Sequence, residues 1–365
     1  MRVVFTGGGT GGHLYPALAI ARALVRQRPD VRPYFIGALR GIERDVLPTT
    51  EFPFTLLDLH PLYRQAPWRN VRTLRGLVSG WGQVSRLAAA DVPRLVVATG
   101  GYASSATLAW AAVHRTPYVL QEANAFPGQT VALSARWARE VYVGFPEARE
   151  RLPASVRDRV VDVGNPIDPP PVPRSDRAAA RTTWDFPPST ALVVLAFGGS
   201  QGSAALNALI DGWVAAGLPQ GVGLIWGTGK AHHARYALRE SAMVRVRPYL
   251  APIAGAYAAS DLAIARSGAI TTAELCAWGI PMYLVPLPTA AADHQTANAR
   301  ALAAAGAAEW SAERDATPAG LDAFVRGLLA DPARRESAAA AAQARARPAA
   351  STDIAARLAG MLDRP

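Results

Sequence analysis

Residues Gly7 to His13 read GGGTGGH, and their types and spacing suit chemistry on a phosphate-bearing ligand. Gly7, Gly8, Gly9, Gly11 and Gly12 carry no Cβ, so backbone N–H groups there can approach a ligand's oxygens closely. His13 follows at the mouth of the loop, and imidazole is the side chain best suited to move a proton near neutral pH. An apolar run (Val3, Val4, Phe5) precedes the glycines, and an apolar helical period begins near Leu14. Strand, glycine loop, helix is the order that puts a ligand at a positive helix end. The loop is neither a clean G-x-G-x-x-G with an acidic residue at the next strand end nor a Walker loop. Taken alone it fits many nucleotide folds, and a capping or packing role for His13 is as good a reading as catalysis. A second such loop, FGGSQGSAALN (Phe197 to Asn207), follows the apolar run ALVVLAF and changes the balance.

The elements that must carry these loops alternate. Strand-like runs lie at Val3 to Phe5, Pro33 to Ile36, Leu95 to Ala98, Tyr118 to Leu120, Val141 to Val143 and Val160 to Val163, with helical runs after most of them. This is the pattern of a parallel, doubly wound sheet. It stops at DPPPVPRSDRAAARTTWDFPPS, whose six prolines mark a boundary. It restarts at Ala191 to Phe197 and continues through Leu224 to Trp226, Val244 to Val246, Leu262 to Ala265 and Met282 to Val285. The expected class is α/β, with two Rossmann-like domains facing across a cleft. The expected domains are 1–167, a proline-rich linker 168–190, a second domain 191–345, and a C-terminal helix 346–365 that packs back on the first domain. Ligands belong at the carboxyl ends of such strands.

Composition sets bounds. Half of the 365 residues are hydrophobic, enough for two cores, yet no apolar stretch reaches the ~20 residues of a membrane span. The amino terminus runs straight into a strand with no signal-peptide pattern, so a cytoplasmic protein is expected. Cys276 is the one cysteine, which excludes an internal disulfide or a cysteine-based zinc site. The net charge of +10 comes almost wholly from arginine, since Lys230 is the only lysine. An anionic partner would suit that charge, but composition alone favours a compositional bias toward Arg and Ala. No nucleic-acid motif accompanies it.

Seven motifs occur in order: GGGTGGHLYPALAIA, ATGGYAS (Ala98 to Ser104), EANAFPG (Glu122 to Gly128), GNPI (Gly164 to Ile167), FGGSQGSAALN, ARSGAITTAEL (Ala265 to Leu275) and DHQTANA (Asp293 to Ala299). Together they resemble the MurG family, from Met1 to about Ala308. The resemblance implies a two-Rossmann-domain (GT-B) glycosyltransferase. It would move N-acetylglucosamine from UDP-N-acetylglucosamine to the muramoyl 4-hydroxyl of undecaprenyl-pyrophosphoryl-MurNAc-pentapeptide (lipid I), giving lipid II for the cell wall. It implies no cofactor and no metal, and a peripheral place on the cytoplasmic face of the plasma membrane.

On the donor side, the N–H groups of Ser267, Gly268, Ala269 and Ile270 would hold the diphosphate at a turn entering a helix. Thr271 and Thr272 extend the first helical turn, and Glu274 would accept from ribose hydroxyls. Ser200 and Gln201 resemble positions that contact diphosphate and sugar, and Leu250 one whose backbone meets the uracil. Gln295 and Asn124 resemble residues that bond the sugar. Arg266 reads equally as added positive charge or as a structural ion-pair partner. On the acceptor side, Gly9, Thr10, Gly11 and Gly12 would hold the acceptor pyrophosphate or approach the donor sugar. Gly100, Gly101 and Tyr102 would shape that site. His13 is the expected base, and Glu122 a second acid/base or an orienting group.

Three positions depart from the family pattern. Gln121 stands where its histidine is common, Asp168 follows Ile167 where it has an arginine, and HPLYRQ (His60 to Gln65) replaces a glycine-leucine-arginine stretch while keeping charge at Arg64. A membrane-bound acceptor also needs a docking surface. In Trp68 to Arg86, the residues Val71, Leu74, Leu77, Val78, Trp81 and Val84 share one helical face. With Trp68, and with Arg69, Arg72 and Arg75 beside it, that face suits an anionic lipid surface as well as it suits a core. Gly76, Gly80 and Gly82 weaken the helix. Other readings are a different GT-B UDP-sugar transferase, a sugar-nucleotide epimerase and a non-catalytic UDP-sugar binder. GGTGGH and GGYAS argue against the first, and retention of His13, Glu122 and Glu274 against the last.

Overall fold

The computed structural model describes residues 1–63, 66–171, 176–199 and 201–363, so Arg64 and Ser200 lie outside the described residues. The chain forms two compact units, Met1–Ile167 with Pro348–Pro365, and Asp168–Arg347. The first holds seven parallel strands: β1 (Arg2–Thr6), β2 (Arg32–Ala38), β3 (Phe54–Leu57), β4 (Leu95–Ala98), β5 (Tyr118–Glu122), β6 (Val141–Val143) and β7 (Val160–Asp162). Their order is β3-β2-β1-β4-β5-β6-β7. The second holds six parallel strands: β8 (Leu192–Phe197), β9 (Val222–Gly227), β10 (Val244–Arg247), β11 (Leu262–Ala265), β12 (Met282–Leu284) and β13 (Ala308–Trp310), in the order β10-β9-β8-β11-β12-β13. Central strands such as LVVA of β4 and LVVLAF of β8 are buried on both faces, which is why they read as continuous apolar runs. β3 and β13 escape such a reading because both are edge strands and only partly buried.

In each sheet the chain order reverses beside the first strand, between β1 and β4 and between β8 and β11. The loops that follow those strands part there and leave a crevice. The helix Gly11–Gln27 follows the first loop and buries Leu14, Leu18, Ile20 and Leu24. The last helix, Ala350–Leu362, covers it, placing Ile354, Ala355, Leu358 and Leu362 in one core with Val3, Phe5 and Leu14.

The proline-rich stretch is more than a connector. Its prolines flank RAAART, a good helix former, and the helix Arg177–Thr182 starts at Asp176, whose side chain accepts from Ala178 N–H. Arg177 meets Asp261 at 3.0 Å, Arg181 pairs with the same carboxylate, and Asp261 also accepts the Val193 N–H at 2.7 Å. The segment is thereby fastened to the second sheet.

The amphipathic segment forms the helix Asn70–Ala90, but its face divides. Leu77 and Trp81 turn inward onto the core, Trp81 against the His114 ring at 5.7 Å, and Val84 is buried. Trp68, just ahead of the helix, and Val71, Leu74 and Val78 stay exposed. The glycines decide this. Gly76 lies against the Asp58 carbonyl and Gly80 against Ala106 and Leu59, so the seam runs along the glycine edge rather than the apolar stripe.

Because Leu358 is fully buried against the helix that carries His13, Leu358→Ala is expected to cost the first unit about 2–5 kcal/mol. Thermal unfolding followed by near-UV dichroism should show its transition moving down. An unchanged transition would mean that the last helix contributes no core.

Candidate active site

His13 is set across the crevice between β1 and β4. The two strands pair in step, Thr6 beside Ala98, so the residues that leave them are level. The imidazole Nδ1 lies 2.7 Å from the Thr99 carbonyl oxygen, and the Thr99 hydroxyl donates to the His13 carbonyl at 2.7 Å. A carbonyl only accepts, so Nδ1 carries the hydrogen and the neutral ring keeps its lone pair on Nε2. Gly101, at φ +76°, is required here: a methyl group on it would strike the Gly8 carbonyl and come within 3.1 Å of the imidazole. Gly100 lies equally close to the ring. Tyr102 lays its ring over Gly9. Thr10 and Gly12 are exposed, and Thr10 places no side-chain bond on the helix start. His13, Gly9, Gly100, Gly101 and Tyr102 therefore form one group. Thr99, which holds the imidazole, is not legible in the sequence because a threonine before GG carries no chemical signal of its own.

Glu122 ends β5, the neighbouring strand, and is 2% exposed. One carboxylate oxygen accepts from the Asn124 backbone N–H at 2.9 Å and from its side-chain amide at 3.2 Å. The other accepts the Gly128 N–H at 2.8 Å. Burial pushes its pKa above the usual carboxylate value, and these N–H groups offset part of that shift. Both oxygens are bonded inside its own loop, and one of them holds Asn124 by backbone and side chain. Gln121 donates to Asn165 at 3.0 Å, and Asn165 donates to the Ala123 carbonyl at 2.9 Å. This amide pair occupies the place of the missing histidine.

In the second unit, Phe197, Gly199, Gly227, Gly229, Pro248, Tyr249, Leu250, Ile253, Thr271 and Glu274 enclose a cavity of about 210 Å³. Leu250 packs over Gly227, where a Cβ would come within 2.8 Å of it. Glu274 accepts from the Tyr257 hydroxyl at 2.8 Å. Burial raises the Glu274 pKa, Tyr257 holds it down, and the negative Asp168 raises it again, to about 7. The Asp168 departure thus places a second acid near this carboxylate. The helix Ala269–Trp278 begins after Gly268, which has no side chain to cap it, so its first-turn N–H groups point out of the helix end.

Several other expected donor residues make bonds within the fold. Arg266 spends all five donors on Ser203, the Val285 and Pro286 carbonyls and Glu313. It is the ion-pair partner of the two readings. Ser267 donates to the Gln295 carbonyl at 2.8 Å, and Thr272 donates to Gly268 and Ala269 of its own turn. Ala269 is buried, Ile270 half-buried and Gln201 exposed. The Gln295 side-chain carbonyl accepts the Leu287 N–H at 3.0 Å. Just before it, Ala292 and Asp293 hold φ +52° and +53°, a strained turn of the kind found beside functional groups. Among the described residues no group of His, Cys, Asp or Glu is arranged to hold a metal ion.

Two doubly wound parallel sheets, each opening with a glycine loop, and a cavity of about 210 Å³ in the second unit are the GT-B architecture. The glycosyltransferase family 28 N-terminal domain matches residues 3–143 and the family 28 C-terminal domain residues 193–355. The chain is 39% identical over 364 residues, 96% of each chain, to the UDP-N-acetylglucosamine--N-acetylmuramyl-(pentapeptide) pyrophosphoryl-undecaprenol N-acetylglucosamine transferase of Moorella thermoacetica. It is 38% identical over 369 residues to the Salinibacter ruber protein of the same name, covering 99% of this chain and 97% of that one. The crystal structure of Acinetobacter baumannii MurG superposes with a TM-score of 0.77 at 27% identity, over 98% of this chain and 99% of that one. The chain belongs to glycosyltransferase family 28 and, within it, to the MurG family.

The Tyr257–Glu274 bond makes a direct expectation. A hydroxyl donor stabilises the carboxylate, so Tyr257→Phe should raise the Glu274 pKa further above about 7. A ¹³C carboxyl titration should place the wild-type midpoint near 7 and the variant's higher, by roughly one unit for a bond worth about 1.5 kcal/mol. A wild-type midpoint in the ordinary carboxylate range would show the cavity to be open to water.

Proposed function

We propose that this protein transfers N-acetylglucosamine from UDP-N-acetylglucosamine to the 4-hydroxyl of a muramoyl-pentapeptide carried on undecaprenyl pyrophosphate. The observation that carries the reading is the His13–Thr99 clamp, which supports a neutral imidazole with its basic nitrogen at Nε2. In the donor unit, the uracil would lie against the Leu250 backbone and Glu274 would accept from the ribose. The first-turn N–H groups of the helix Ala269–Trp278 would take the diphosphate, with Gln201 beside it. Gln295 would donate to the sugar hydroxyls. In the acceptor unit, Asn124, held by Glu122, and the loop Thr10–Gly12 are the groups that would bond a sugar.

The reaction is a single displacement. Nε2 of His13 takes the hydroxyl proton as the oxygen attacks the anomeric carbon. The bond to the UDP oxygen breaks with inversion, and UDP leaves with the electron pair, its charge met by backbone N–H groups. UDP release from UDP-N-acetylglucosamine, with and without a lipid I analogue, tests this, and release that ignores the acceptor would refute it. His13→Ala should lower turnover by about 10²–10⁴-fold while UDP binding persists. Near-normal turnover in that variant would make His13 a cap on the glycine loop.

Membrane docking would use Trp68, Val71, Leu74 and Val78, with Arg69, Arg72 and Arg75, on the cytoplasmic face. All seven residues are exposed, Trp68 by 74%. Among the described residues no helix is long and apolar enough to cross a membrane. Apolar side chains entering the interface beside arginines would give a peripheral, salt-sensitive attachment. Replacing Trp68, Leu74 and Val78 together by serine should cut sedimentation with anionic vesicles by about tenfold or more, since each contributes on the order of 1 kcal/mol or more. Turnover on a soluble acceptor should be unchanged. Undiminished vesicle binding would move the docking surface elsewhere.

A further inference from the structure

A carboxylate that no sequence motif announced lies beneath the first glycine loop. Glu43 is fully buried. One oxygen accepts the Gly9 N–H at 2.9 Å, and the other accepts the Ala38 N–H at the end of β2, at 3.0 Å. Both oxygens accept, the arrangement that suits an ionised carboxylate. The socket is built of glycines: a methyl group at Gly8 or Gly41 would overlap the carboxylate, and one at Gly37 would come within 2.9 Å of the Glu43 stem. The charge is felt by the ring above, because the Tyr102 phenol is pushed up first by burial and then by Glu43.

A glycine loop ahead of a helix is ordinarily an anion site. In this one, a backbone N–H is already given to an anion that belongs to the protein. The helix Ala269–Trp278 of the donor unit differs, since the residue before it is a bare glycine. We propose that Glu43 is a positioning and specificity-determining residue: it occupies the loop with a resident negative charge, so the loop orients a neutral, hydroxyl-bearing part of the acceptor beside His13 and turns phosphate away. The acceptor's chemistry in that statement rests on the function proposed above. The acceptor diphosphate then has to be held away from Gly9, and the loop's N–H groups serve the reacting sugar.

The test uses the full chain saturated with UDP, which fills the donor diphosphate site, and inorganic pyrophosphate as the probe. Amide ¹⁵N shifts of Gly9, Gly11 and Gly12 are followed during the titration in wild type and Glu43→Gln. Wild type is expected to show no saturable change through the millimolar range. Glu43→Gln, which keeps the shape and removes the charge, is expected to bind pyrophosphate at the loop at least about tenfold more tightly, as loss of a like charge a few ångströms away requires. Submillimolar saturation of the wild-type loop, or equal or weaker binding in the variant, would overturn the proposal. A merely structural carboxylate would give no gain of affinity. If Glu43→Gln does not fold, the wild-type titration decides alone: saturation overturns the proposal and its absence supports it. Neither arm needs turnover, so failure of the transfer assay would be distinguishable from failure here.

Discussion

The hydrogen bond from His13 Nδ1 to the Thr99 carbonyl exists because β1 and β4 lie side by side and end level. β1 feeds a glycine loop and then a helix, while β4 feeds a different loop, and the two separate at the strand ends. A side chain from one loop can therefore be tied to the backbone of the other. That tie fixes which imidazole nitrogen carries the hydrogen, and the tautomer is what the proposed proton transfer would need. The sheet order, the glycines that admit the ring and the buried helix that carries His13 all serve this geometry.

The second unit repeats the device with different chemistry. At the reversal between β8 and β11, Arg266 from the loop after β11 binds Ser203 from the loop after β8. Ser203 also caps the helix Ala204–Ala216, accepting the Leu206 N–H at 3.3 Å. The helix start beside the second glycine loop is thus satisfied by its own serine. The helix Ala269–Trp278 has no side-chain cap, and the cavity that Glu274 helps to line adjoins it. One scaffold used twice holds an imidazole at a crevice in one unit and a helix start without a side-chain cap in the other.

Much of this was legible in the sequence, and what was not follows from how the information is carried. Strand, loop and helix alternation gave both sheets, because doubly covered parallel strands must be apolar throughout. His13, Gly100, Gly101 and Tyr102 were found because glycines at a strand end have few other reasons to cluster. Thr99 and Glu43 were not: one acts through its position just after an adjacent strand, the other through a socket that closes only when Gly8, far away in sequence, meets Gly37 and Gly41. Arg266 and Thr272 stand inside a matching motif yet bond inward, since a motif records residue types and not the direction of side chains. The split of the helix Asn70–Ala90 was hidden for a related reason: its glycines read as weakness but form the packing seam.

The most direct measurement is the tautomer of His13 itself. In protein labelled with ¹⁵N-histidine, two-bond nitrogen–proton correlations separate a pyrrole-type from a pyridine-type ring nitrogen. Above the pH at which the ring is neutral, His13 should show a protonated Nδ1 and an unprotonated Nε2, and Thr99→Pro or any change that displaces the carbonyl should scramble that pattern. A resting ring protonated on Nε2 would leave a lone pair facing the Thr99 carbonyl, and the account of a preset base would be wrong.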